Sequence, residues 1–443
     1  MLRTTAVVLA LASAGAVAHA NPAGFVPVAG TSEQAHVDAT YEYEVDTAQI
    51  TRERVGDRDA DPLGAVPLHR DLAFRQARQL VTPRVEVGLV RGSWISFAVP
   101  IVLSQSREVS LASGVDRAGS LTIADGILPA TGFDAGKPGP IASGDVLFRG
   151  VNRTGVPELR GGIGFAPMIQ RLDDTKPTWK LGLELRFAIG RAMRFDAVDP
   201  GRETGVSTGV HEVRLWTSVD RRTRYFEGWF EAFYQMPIYE RAASLFKNPG
   251  FGAVGVDPGP IAGAAFGAEA NVLDDPATGN RVGIDLGARM TAHFEGRGYS
   301  ELWEVFAFAG DARTPGPLVL DGDPTMPGAS PLNHPGVSNI ESYLETAARV
   351  AVRTKLGAHL TLSALGELSW RTEHIISFAD AGIDLPTCPQ GAPRCESTND
   401  ELVTPGTEEV NPLFQRTIDL VGHRYHAKQG RGYVLGLEVQ LLF

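Results

Sequence analysis

The sequence predicts an all-β fold: a transmembrane antiparallel up-and-down β-barrel of about 12 strands, with about 14 as the alternative. Three observations point there. Apolar and polar residues alternate with period two along segments of a dozen residues or more. Short and long connections take turns along the chain. The chain ends on Phe443, preceded on one face by Tyr433, Leu435, Leu437, Val439 and Leu441.

The alternation is clearest where Trp179, Leu181, Leu183, Leu185, Phe187 and Ile189 oppose Lys180, Glu184 and Arg186. A strand patterned this way meets one apolar and one polar environment. Tyr41, Tyr43 and Val45 likewise oppose Glu42, Glu44 and Asp46, and Ile284, Leu286 and Met290 oppose Asp285 and Arg289. A soluble sandwich also alternates, but its strands are usually ~5–6 residues, whereas a tilted membrane crossing needs ~9–11. Strands are expected near 36–52, 72–90, 94–109, 157–170, 178–196, 210–220, 224–239, 261–273, 281–297, 338–354, 358–374 and 428–443. An even count puts both termini in the periplasm. Leu413 to Tyr425 is assigned to the last external loop. Gly144 to Val151 and Ser300 to Ala309 are further strand candidates, and including both gives the larger count.

Residues 1–20 read as a cleavable signal peptide: Arg3, an apolar run from Ala6 to Val17, then Ala18-His19-Ala20. Residues 21–35 are a periplasmic lead-in, and 36–443 the barrel, in the outer membrane of a Gram-negative cell. The run is too short for a spanning helix, which needs ~20 residues. A net charge of −11 argues against nucleic acid as a partner. The expected partners are outer-membrane lipids, the barrel-assembly machinery reading the terminal strand, and a small solute, with the chain a monomer. The 2 cysteines, Cys388 and Cys395, lie close together in a loop, where an oxidising compartment favours a local disulfide.

Chemistry is expected in the lumen. The inward set is Lys180, Glu184, Arg186, Glu212, Arg214, Asp285, Arg289, His293, Glu341, Glu345, Arg349, Arg353, Glu367, Arg371, Glu373 and Glu438. These residues either line a polar pathway or satisfy one another in a closed interior. Asp57, Asp59 and Asp61 alternate as calcium ligands do, but the downstream Gly and bidentate Glu of the calcium loop are missing, so a solvated acidic loop is expected. No cofactor is expected. His423 and His426 are the histidines a rim hydrolase would use, but no Gly-x-Ser-x-Gly elbow accompanies them.

Gly144-Asp145-Val146, Pro157 to Ile169, Lys180 to Ile189 and Gly205 to Val219 together resemble the transporter-like outer-membrane barrels of the MetA-pathway phenol-degradation type. Ala188-Ile189-Gly190 stands where that pattern has a Pro-Thr-Gly-like corner. The resemblance implies passage of small molecules, hydrophobic or aromatic ones among them, and carries over no individual binding residue. The expectation is therefore a non-enzymatic channel for small molecules. The alternatives are a closed barrel whose loops do the work and, third, a barrel hydrolase.

Overall fold

The computed structural model describes residues 35–54, 66–90, 92–141, 143–238, 254–275, 277–314, 316–321, 331–379 and 413–443. The signal peptide, Asp57, Asp59, Asp61, Cys388 and Cys395 lie outside these residues.

Alternating side chains suit a wall with two different faces, and the chain forms a closed antiparallel barrel of 12 strands. In chain order these are β1 (Ala35–Glu53), β2 (Leu68–Gly88), β3 (Ser93–Ala98 with Ile101–Leu111) and β4 (Val146–Arg149, Arg153–Gly155 and Leu159–Met168). Next come β5 (Thr178–Phe187), β6 (His211–Arg222), β7 (Phe226–Ile238), β8 (Ile261–Asp275) and β9 (Asn280–His293, continued by Gly296–Gly298). The last are β10 (Ser338–Ile340 with Tyr343–Leu356), β11 (Leu360–Arg371 with His374–Ser377) and β12 (Tyr425–Leu442). Each pairs with its sequence neighbour, and β12 pairs with β1 to close the ring, His36 opposite Leu442. Closure leaves no unpaired edge, the condition for a sheet to stand in lipid.

One end carries the short turns and both described chain ends; the other carries the long connections. The outward face is apolar, with Ile163, Phe165, Leu215, Phe266, Leu286, Leu437 and Phe443 all exposed. Tyr433 and the alternate residues from Leu435 to Leu441 share that face, as expected of a lipid-facing terminal strand.

Gly144 to Val151 joins the wall, but as the upper part of β4 rather than as an extra crossing. Strand β5 stops at Phe187, short of the expected 196. Ser300 to Ala309 is not a strand: Trp303–Ala309 is a helix folded into the barrel mouth. Its sequence, Trp-Glu-Val-Phe-Ala-Phe-Ala, is apolar almost all round, so periodicity cannot separate strand from helix there. The helix Arg416–Asp419 and a turn occupy the segment assigned to the last external loop.

The mouth helix, with the short helix Leu121–Ala124, packs against the inner ends of the strands. Ile50, Leu72, Phe74, Leu111, Ile376 and Tyr425 of the wall meet Leu302, Val305, Phe306 and Leu318 in one apolar core. Inner faces thus change character with height. Along β1 the inward residues run Glu42, Glu44, Asp46, then Ala48 and Ile50.

Candidate functional site: the lumen and the cavity above it

The inner wall is a lattice of ion pairs. Lys180 faces Asp220 at 3.4 Å, Arg186 bonds Glu184 at 2.9 Å and Arg214 bonds Glu231 at 3.0 Å. Arg289 reaches both Glu345, at 2.8 Å, and Glu367. Arg371 bonds Asp46 at 2.9 Å. Arg353 and Arg281 converge on Glu269, Trp229 donates to Asp285 at 2.7 Å, and Gln235 donates to Glu212 at 2.8 Å. His293 stacks on Tyr343 at 4.4 Å. Arg349 and Glu438 are half-buried. Closely paired charges of both signs keep the energetic cost of burial down. Small residues make room for large ones: a Cβ on Gly182 would strike the Trp216 indole, and one on Gly164 the Trp94 indole.

Two residues of the expected lumen set sit elsewhere. Glu341 and Glu373 fall at the interruptions of β10 and β11 and are exposed. There the ladder breaks, so strict alternation no longer fixes direction. Glu341 accepts the Ile375 N–H at 3.2 Å, and Glu373 bonds Lys428 at 2.9 Å and His426 at 2.8 Å. His426 is clamped between Glu373 and Glu53, while His423 is half-buried near Asp125. Among the described residues no hydroxyl bonds either ring.

Several inward charges outside the expected set complete the lattice, among them Glu44, Arg78, Glu86, Glu227, Glu269 and Arg281. Their period-two positions could have revealed them. Others had no such signal, because they hold the mouth segment. Arg153 of β4 bonds Glu304 at 2.7 Å, both nearly inaccessible, and Arg107 of β3 donates to the Ser300 carbonyl at 3.1 Å. Glu301 meets Arg371 at 3.6 Å and His374 at 3.4 Å. Arg107, Arg153, Arg371 and His374 belong to β3, β4 and β11. The segment is also tied to the β5–β6 connection, where Tyr299 donates to the Met193 carbonyl at 2.8 Å and Asp311 accepts the Ala197 N–H at 3.1 Å.

On the opposite side the packing is incomplete. A cavity of about 520 Å³ lies between the mouth segment and the ends of β6 and β7. Its walls come from 192–195, 208–211, Ile238, 254–257, Tyr299, 333–335 and Val337. The volume falls within the ~300–1,000 Å³ range of small-molecule sites.

A closed sheet with an apolar outer belt, a charged interior and an inward-folded segment at one mouth defines a transmembrane β-barrel of the outer-membrane class. No family model matches the chain, and no curated protein matches it in sequence. Solved structures match more loosely. The COG4313 outer membrane channel from Pseudomonas putida F1 is 10% identical, with a TM-score of 0.40 over 94% of this chain and 98% of that one. A Pseudomonas aeruginosa FadL homologue is 10% identical, with a TM-score of 0.31 over 92% and 90%. The outer membrane protease OmpT from Escherichia coli is 8% identical, with a TM-score of 0.30 over 93% and 98%. At these scores none of the three bears on what this chain carries or does.

Proposed function

We propose that the protein is an outer-membrane barrel for the passage of small molecules, its lumen closed at rest by the segment around Trp303–Ala309 and its entry the cavity beside that segment. The supporting observation is the uneven attachment: buried ion pairs hold the segment to β3, β4 and β11, whereas toward the β5–β6 connection it makes a few hydrogen bonds and a partly exposed ion pair beside the cavity. A segment held unevenly can tilt about its buried anchors without breaking the wall. The short-turn end, with both termini, is read as periplasmic, and the Tyr433–Phe443 face as the assembly signal. The chain is read as a monomer without enzymatic activity.

Single-channel conductance of the refolded protein in a planar bilayer tests this. Glu304→Ala removes the carboxylate from the buried Arg153, leaving it the carbonyls of Arg194, Glu203 and Gly205, a loss of up to ~3–5 kcal/mol at the anchor. The expected result is rare openings in the native chain and frequent ones in this variant, with amplitude sensitive to Arg289→Gln. A second reading, a closed barrel whose loops do the work, is favoured by the inaccessibility of Asp285, Glu269 and Glu345. Folded barrels silent in both forms would favour it and sink the first.

A further inference from the structure

On the outer face of β11, β12, β1 and β2 the residues change character at one level. Leu368, Tyr433, Val45 and Ala77 stand side by side across the four strands. One pleat nearer the long connections, ~6.6 Å along the strands, the row reads Trp370, Arg431, Thr47 and Arg75. In a barrel that stands in lipid, such a step marks the border between hydrocarbon and headgroups. Trp370, 44% exposed, and Tyr433 are the aromatic residues that border favours.

Arg431 and Arg75 are exposed, and neither guanidinium has an ion-pair or hydrogen-bond partner among the described residues. Neighbouring cations differ. Lys428 bonds Glu373 at 2.9 Å, Arg424 bonds Glu53 at 2.7 Å and Arg149 bonds Asp134 at 3.0 Å. Glu108 stands opposite Arg75 on β3, but its carboxylate turns to Arg149 at 3.4 Å. Thr47, between the two arginines, is short and donates its hydroxyl to the Arg431 carbonyl at 3.3 Å. With strands ~4.8 Å apart, the two Cα atoms are ~10 Å apart across β1. Both long side chains can therefore converge on one anion over Thr47.

We infer that Arg75 and Arg431 form a binding site for the phosphate of a lipid headgroup, in the leaflet at the end of the long connections. Guanidinium groups hold phosphate oxygens through paired N–H donors. A headgroup bound there leaves its acyl chains on the apolar row of Leu368, Tyr433, Val45 and Ala77 just below. Two cations without an opposing carboxylate favour a lipid of net negative charge over a zwitterionic one. This goes beyond the passage reading and does not depend on it.

The test is native mass spectrometry of the refolded full chain in detergent, titrated with phosphatidic acid or with phosphatidylcholine. The first phosphatidic acid should bind about tenfold more tightly than the first phosphatidylcholine, the order that two surface cations supply. Arg75→Gln combined with Arg431→Gln should bring the two lipids close to equal. Arg75→Lys combined with Arg431→Lys, which keeps both charges, should retain most of the preference. Arg221→Gln combined with Arg224→Gln removes the same charge at the short-turn end and should leave the preference unchanged. Heat-modifiable mobility checks that each variant is folded. An undiminished preference in the Arg75→Gln, Arg431→Gln chain, or an equal loss in the Arg221→Gln, Arg224→Gln chain, would overturn the site. Displacement of the lipid by inorganic phosphate at the same concentration would overturn it as a lipid site, since the phosphate alone would then suffice.

Discussion

The barrel has a tall wall and a short one. On the tall side, β12, β1 and β2 switch their outward residues from apolar to polar at one level: Val45 lies between Tyr433 and Ala77, and Thr47 between Arg431 and Arg75. Strand β1 then continues to Glu53, at ~3.3 Å per residue, beyond the apolar belt. On the short side β5, β6 and β7 span 10, 12 and 13 residues, and at their upper ends Phe187 and Ile238 are apolar and exposed, with His211 of β6 between them. The projecting wall offers inner surface to pack against, so the mouth segment buries its apolar face there. The short wall offers none, and a cavity takes its place.

If that contrast is right, damage to the tall side should cost far more than damage to the short side. The largest effect is expected from Phe306→Asp, which removes a fully buried ring from the mouth core. Even truncation of such a Phe costs ~3–5 kcal/mol, and a buried carboxylate adds to that. Limited proteolysis should cut within 299–337 while the barrel remains heat-modifiable. A protected segment would mean that the core does not hold it. Next, Leu437→Arg on the lipid face should cost ~2–4 kcal/mol, because Leu437 lies well inside the belt. Equilibrium unfolding from lipid vesicles would measure it, and a neutral result would place the belt elsewhere.

A smaller effect reports on the tie between the mouth segment and the β5–β6 connection. Asp311 accepts the Ala197 N–H at 3.1 Å and pairs with Arg313, which also reaches Asp196 at 2.7 Å. Burial alone would raise its carboxyl, but the hydrogen bonds from Arg313 and Ala197 hold it below the usual 3.8. Its contribution is therefore full above that value and is lost as pH falls through the lowered one. Asp311→Asn should cost ~1 kcal/mol at neutral pH, with the difference from the native chain vanishing in acid. Amide exchange at Ala197 against pH would show it; a difference that grows in acid would reverse the sign. The smallest effect is expected at the short wall, where Val256→Ala enlarges an existing cavity and should cost under ~1 kcal/mol. A loss as large as that of Phe306→Asp, read by the same unfolding assay, would break the contrast.

Much of the wall was legible in the sequence because a period-two pattern depends only on which residues alternate. The terminal strand from Tyr433 to Phe443 and the inward run of Lys180, Glu184 and Arg186 follow from it directly. Glu341 and Glu373 escaped because the ladder breaks beside them. The Trp303–Ala309 helix escaped because a segment buried on every side carries no period.

The sequence by itself determined the alternating wall, the approximate strand number and the placing of short turns at one end, since these rest on local pattern and on closing every backbone hydrogen bond. Only the tertiary structure decided that the mouth is filled mainly from one side, that Arg153 meets Glu304 across 151 residues, and that a cavity is left beside the ends of β6 and β7. Those contacts depend on where distant loops come to rest above walls of unequal height, and no spacing along the chain encodes that.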